Sequence, residues 1–195
     1  MQNEDINLAE LSFLIADPNP YSCAITHSIL RGFGCNRVTD VRTAKGAITV
    51  LLEQKVDMLI VDPQLPPYGG LPFIKSMRQN PNNPFRTLPV LVVTGDTRVS
   101  KMNEARDCGA NLVVMKPMSP SSLYVRIVWL VFNPRKFINV ESYCGPDRRW
   151  KIEGLPAGGG RRASDKVEAI EAEEGPALSQ NDIDQLLQKS RSAAS

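Results

Sequence analysis

The chain is short of several things at once. Of its 195 residues only 6% are aromatic, which argues against a surface built to stack bases or sugars. It has a single histidine, His27, so a His-based metal site has no second member. Four cysteines, at 23, 35, 108 and 144, lie too far apart for a zinc or CxxC pattern. Cys23 and Cys108 sit among apolar neighbours and read as buried thiols. Charge of one sign is also missing. Lys plus Arg (23) nearly balances Asp plus Glu (21), and the net of +2 gives no field suited to general nucleic-acid binding. No apolar run nears the roughly 18 residues of a membrane span. The first ten residues, MQNEDINLAE, are too polar for a secretory signal. A cytoplasmic protein without a membrane partner is the expectation. Neither GxGxxG nor a Walker loop occurs, and no Ser/His/Asp or Cys/His set has enough parts for nucleophilic catalysis.

What is present is a regular alternation. Residues 1–9 are a polar lead-in, followed by the apolar run Leu11–Ala16, which Asp17-Pro-Asn-Pro20 ends as a strand ends at a turn. A helix from Pro20 carries Ile25, Ile29 and Leu30 at helical spacing and stops at Gly32 or Gly34. Arg37–Val41 is a second strand. Ala44–Gln54 is a second helix with Ala47, Ile48, Leu51 and Leu52 on one face. Met58–Val61 is a wholly apolar strand ending in Asp62, and the Pro and Gly residues of 63–70 then force a loop. Leu71–Arg78 is helical. Pro89–Val93 is a fourth strand ending at Thr94-Gly95. Asp96 or Thr97 caps a helix to Cys108, and Gly109 closes it. Leu112–Met115 is a fifth strand ending at Lys116-Pro117, and Ser119 caps a helix over 121–132.

Apolar strands without strict alternation, separated by helices, predict a five-stranded doubly wound parallel α/β sheet over residues 10–135. Function in such sheets sits outside the carboxyl ends of the strands. Those ends carry Asp17, Asp62, Thr94 and Lys116. Two acids, a hydroxyl and an amine at one edge suit phosphoryl chemistry. A carboxylate can attack phosphorus, a second can help hold Mg²⁺, and an amine and a hydroxyl can meet the new phosphoryl oxygens.

The set resembles the receiver domain of bacterial two-component response regulators, the CheY-like family, over about residues 10–133. The resemblance rests on Ala16-Asp17, Val61-Asp62-Pro-Gln-Leu-Pro-Pro-Tyr-Gly-Gly70, Val93-Thr94-Gly95 and Met115-Lys116-Pro117, each after a strand. It implies that Asp62 accepts a phosphoryl group from a histidine kinase or phosphotransfer protein. Thr94 is then the switch hydroxyl and Lys116 the phosphate-pairing amine. The implied Mg²⁺ ligands are Asp17, Asp62 and the Gln64 backbone carbonyl. Such a protein dephosphorylates itself at most and is not an enzyme in its own right.

Two positions depart from the family. Its paired acids read Asp17-Pro18 here, so Pro18 replaces the direct metal ligand and Mg²⁺ should bind weakly. A slip of one residue would instead make Asp17 the second acid. Val113 stands where an aromatic switch residue is common. These departures keep a rival open, a degenerate adaptor that signals without phosphate.

No output domain fits into the remainder. Residues 136–177 turn basic and then acidic, show no strand pattern, and read as a flexible extension. The Arg pairs 148–149 and 161–162 are either a basic clamp or part of a linker whose Phe137, Ile138 and Tyr143 pack back on the receiver. They lack the interleaved aromatics expected of nucleic-acid contact. Residues 178–190 form a short amphipathic helix. Ser179 and Asp182 make a capping box, Leu178 and Ile183 a staple, and Ile183, Leu186 and Leu187 a stripe. Leu178-Ser-Gln-Asn-Asp-Ile-Asp-Gln-Leu-Leu187 resembles the amino-terminal peptide of the flagellar switch protein FliM, which binds the phosphorylated chemotaxis regulator. The implied partner is a receiver surface, on this chain or on a chemotaxis regulator.

Overall fold

A computed structural model describes residues 8–140, 143–147 and 168–170. A turn of 3-10 helix, Leu8–Glu10, leads into β1 (Ser12–Ala16) and α1 (Pro20–Gly32). β2 (Arg37–Val41), α2 (Ala44–Glu53), β3 (Met58–Val61), α3 (Gly70–Gln79) and β4 (Val90–Thr94) follow. The unit ends with α4 (Val99–Asp107), β5 (Leu112–Met115) and α5 (Pro120–Phe132). The five strands are parallel in the order β2-β1-β3-β4-β5, the doubly wound arrangement expected from the alternation.

The strands explain why alternation is absent from their sequences. Successive side chains point to opposite faces, and both faces are covered. Leu14, Ala16, Leu59, Val61, Val90 and Val92 pack with residues of α2, α3 and α4. Phe13, Ile15, Met58, Ile60, Leu91 and Val93 pack with α1 and α5. Asn19 and Ser119 cap α1 and α5 through their side chains, each with Pro at the first helical position.

Three helix expectations change. In α1 the buried positions are Cys23, Thr26 and Leu30, while Ile25 is 57% exposed. Thr26 enters the core because its hydroxyl donates to Ser22 O. In α2 the buried positions are Ala47, Val50 and Leu51, leaving Ile48 48% and Leu52 71% exposed. Neither Asp96 nor Thr97 caps α4. The cap position is Arg98, and the Asp96 carboxylate instead accepts from the Arg98 backbone and guanidinium. Cys23 and Cys108 are buried free thiols as expected, and so are Cys35 and Cys144.

The larger correction follows α5. Where the sequence showed no strand pattern, β6 (Phe137–Val140) and β7 (Tyr143–Pro146) pair antiparallel, and β8 (Glu168–Ile170) pairs with β6 from the other side. This small sheet meets the receiver at the amino ends of β4 and β5. Its anchor is Arg78 in α3, which is fully buried. Arg78 donates to Gly109 O (3.1 Å), Arg86 O (2.5 Å), Leu88 O (2.7 Å) and Asn111 Oδ1 (3.1 Å). Its guanidinium lies 4.9 Å from the centre of the Phe137 ring. Gly109 has φ +96, and a Cβ there would stand 2.7 Å from Cys144 O, so only glycine lets β7 approach this closely. Phe137 and Cys144 are buried by the contact.

Candidate functional site

The parallel register brings the carboxyl ends of the strands level. Ala16 is paired with both Val41 and Val61, and Thr94 with Met115. The ladder runs one residue past each end. Asp17 N donates to Val41 O, Asp62 N to Ala16 O and Lys116 N to Thr94 O. The backbone of each chemistry-bearing residue is therefore fixed by a neighbouring strand before its loop begins. Gly70 turns the loop after β3 back beneath Asp62. A Cβ at Gly70 would lie 2.2 Å from Asp62 O and 2.5 Å from Val61 Cγ1, so the close return requires glycine.

Asp17, Asp62 and Lys116 converge. Lys116 Nζ stands 2.7 Å from Asp17 Oδ2 and 2.7 Å from Asp62 Oδ2. The remaining carboxylate oxygens also have donors. Asp17 Oδ1 accepts from Asn19 N at 2.8 Å and Asp62 Oδ1 from Gln64 N at 2.7 Å. Thr94 is buried and lines the same open cleft of about 1110 Å³. Its Oγ1 accepts from Asp96 N at 3.0 Å. Pro18 and Gln64 line the cleft as well.

Two ionisations are tuned by this cluster. Burial alone would raise the Asp17 carboxyl, but hydrogen bonds from Lys116, Ser22 and the Asn19 amide outweigh it and hold the group below its usual range. Burial alone would lower the Lys116 ammonium, yet its bonds to Asp17 and Asp62 hold it above its usual value.

The oxygen donors suit a hard divalent cation in kind: two carboxylates and, two residues past Asp62, the Gln64 carbonyl. They are few. Pro18 brings no donor, and among the described residues no group of three or more His, Cys, Asp or Glu side chains is placed to hold a metal. The ammonium of Lys116 is what balances the two carboxylates.

The four strand-end residues singled out in the sequence thus share one cleft, three of them in direct contact. The tail residues Leu178, Ile183, Leu186 and Leu187 lie outside the described residues. Sequence reasoning missed Asn19 and Arg42. Asn19 both caps α1 and donates to Asp17, a role legible in the Asn-Pro start of that helix. Arg42 reaches Asp17 O at 3.4 Å and contacts Cys23 Sγ, and no local signal marks it. Among the described residues no helix is long and apolar enough to cross a membrane.

Known proteins resemble this chain in sequence and fold. The chain is 25% identical over 113 residues to chemotaxis protein CheY-3 of Vibrio cholerae, covering 58% of this chain and 85% of that one. It is 26% identical over 115 residues to a probable chemotaxis protein CheY of Rhizobium etli, covering 58% and 88%. Among solved structures, a putative response regulator from Chloroflexus aurantiacus superposes with a TM-score of 0.56 at 29% identity, covering 60% of this chain and 93% of that one. The receiver domain of a sensor histidine kinase from Pseudomonas aeruginosa, which has a magnesium ion in its active-site cleft, has the same fold. Its TM-score is 0.53 at 24% identity, covering 60% and 93%. Residues 13–128 match the response regulator receiver domain, a signalling module rather than an enzyme. The chain belongs to that family.

Proposed function

We propose that this receiver takes a phosphoryl group on Asp62 and signals by protein contact. The observation that carries the reading is the placement of Asp62 at the end of a central strand, in an open cleft, with an ammonium 2.7 Å away and a second carboxylate on its far side. In the transfer an Asp62 carboxylate oxygen forms a bond to phosphorus. The bond from phosphorus to a donor histidine nitrogen breaks, and that nitrogen keeps the electron pair and takes a proton. Lys116 is released from Asp62 to pair with the phosphoryl oxygens, and the Thr94 hydroxyl, whose oxygen accepts from the Asp96 amide, donates its proton to one of them. Hydrolysis of the acyl phosphate by water returns the carboxylate. Bound Mg²⁺, held by Asp17, Asp62 and the Gln64 carbonyl, would neutralise phosphoryl charge. With Pro18 at the neighbouring position its affinity is low.

The donor is a histidine kinase or phosphotransfer protein. The chemotaxis relatives and the flagellar-switch-like string at 178–187 favour a role in motility signalling. In this reading the tail is a docking segment for a receiver surface, on this chain or on a chemotaxis regulator. Pro18 supports a second reading, a phosphate-independent adaptor. Incubation with a small phosphodonor and Mg²⁺, followed by intact-mass measurement, separates the two. The first reading expects one added phosphoryl group, absent from Asp62→Asn. An unchanged wild-type mass with donor in excess leaves the adaptor.

A further inference from the structure

The amphipathic face of α2 is wider than the core beneath it. Ile48 and Leu52 belong to the apolar stripe yet stand 48% and 71% exposed. They form one wall of a groove of about 340 Å³ whose other walls are Phe73 and Met77 of α3 and Pro84 and Phe85 of the following loop. Exposed Lys45 stands on α2 three residues before Ile48, while Lys55 lies past the helix end and pairs with Asp57 at 3.4 Å. The groove lies on the flank of the domain and shares no lining residue with the Asp62 cleft.

We propose that this groove is the docking site of the chain's own segment Leu178–Leu187. The proposal rests on reading that segment as a docking helix and does not depend on phosphorylation. Three observations choose this occupant. The first is where the described chain ends. Ile170 of β8 is the register partner of Phe137 in β6. The Phe137 ring packs on Arg78, the residue after the groove-lining Met77. Arg78 also binds the carbonyl of Arg86, the residue after the groove-lining Phe85. The small sheet therefore ties Ile170, through Phe137 and Arg78, to the carboxyl-terminal end of α3, the helix that supplies Phe73 and Met77 to the groove.

The second observation is reach. Eight steps separate Ile170 from Leu178, a span of at most about 29 Å at 3.3–3.6 Å per residue. A leash this short gives a tethered segment an effective concentration on the order of millimolar. A peptide site with a dissociation constant of about 100 μM would then be about nine-tenths occupied. The third is chemistry. Ile183, Leu186 and Leu187 are the apolar stripe that the open groove lacks, while Glu171, Glu173, Glu174, Asp182 and Asp184 carry the charge opposite to Lys45. A ten-residue helix is marginal alone and gains stability by laying its stripe on an apolar surface.

Hydrogen–deuterium exchange of the full chain, at two protein concentrations, tests the assignment. Amides of 180–187 should exchange about tenfold more slowly in the wild type than in Ile183→Asp with Leu187→Asp, in line with that occupancy. Peptides over α2 and residues 73–85 should lose protection in the same double variant. Leu52→Asp should release the tail equally, and Leu52→Gln, which keeps the site neutral, should release it in part. Leu52→Asp should match the melting temperature of Ile183→Asp with Leu187→Asp, and Leu52→Gln should not fall below it, since Leu52 is largely exposed and release of the tail is then the only stability lost. Tail protection that survives the Leu52 variants overturns the groove but keeps the docking segment. Protection that grows with protein concentration overturns the intramolecular occupant in favour of a second copy. A tail that exchanges at the unstructured rate, together with no saturable binding of a 176–190 peptide to a phosphorylated chemotaxis regulator, overturns both.

Discussion

The two ends of the central sheet each hold a cation, half-buried at one and fully buried at the other, and they do it in opposite ways. At the carboxyl end, Lys116 stands between two carboxylates. At the amino end, Arg78 is more deeply buried, and every partner it has among the described residues is a carbonyl, a side-chain amide or an aromatic ring. Burial lowers the Arg78 guanidinium to about 10, which leaves it charged at neutral pH. A planar guanidinium with five donors can satisfy several fixed carbonyls at once, so it serves as a permanent tie between α3, two loops and β6. An ammonium has no fixed plane and can turn from one oxygen to another. On the proposed function, the end that exchanges partners uses lysine with acids, and the end that holds uses arginine with backbone.

The contrast can be broken from the arginine side first. Arg78→Met leaves several buried carbonyls without a donor and should cost about 3–5 kcal/mol, the range for breaking one side of a buried charged network. Denaturant unfolding would measure it, and the loss should be nearly the same from pH 5 to 8, since no partner titrates there. A loss under 1 kcal/mol would mean that β6 and β7 are held by apolar contact alone.

The lysine side should give a smaller and pH-dependent effect. Lys116→Met leaves two carboxylates facing each other and should cost about 1–3 kcal/mol at pH 7. Asp17 is depressed in the folded state, so its pairing contributes above its unfolded value, near 3.9, and is lost as pH falls through the folded value. Lys116 is raised, so its contribution is present below its unfolded value, near 10.4, and is lost as pH rises through the folded value. Wild type and variant should therefore differ most near neutrality and converge only as pH falls through the depressed Asp17 value. Parallel stability curves across that range would contradict the geometry of the site.

These two ends also differ in how far the sequence shows them. Asp17, Asp62, Thr94 and Lys116 are legible because apolar runs mark the strands, and parallel topology carries all strand ends to one edge. Arg78 sits in an ordinary α3 pattern, and its partners come from 86, 88, 109, 111 and 137. No local rule joins them. β6 and β7 are four residues each and gain their order from contact with Arg78 and Gly109, so periodicity could not mark them. Periodicity likewise showed the apolar stripe of α2 but not its width relative to the core, which is why Ile48 and Leu52 stand outside. The Asp96 cap failed because the nearby Arg98 side chain competes for the same carboxylate.

A smaller change sharpens the lysine end. Pro18→Asp should leave stability within about 0.5 kcal/mol, as a cleft-lining change away from the core. It should still tighten Mg²⁺ about tenfold in calorimetric titration, because a third carboxylate favours a hard dication. Equal affinity would mean that position 18 does not face the cation.

The central claim is that, of the two carboxylates flanking Lys116, only Asp62 takes the phosphoryl group. Borohydride reduces an acyl phosphate to an alcohol and so marks the acceptor permanently. After exposure to a small phosphodonor and Mg²⁺, reduction and peptide mapping should place the reduced residue at position 62 alone. A mark at position 17, or none at either position with donor in excess, would contradict the account.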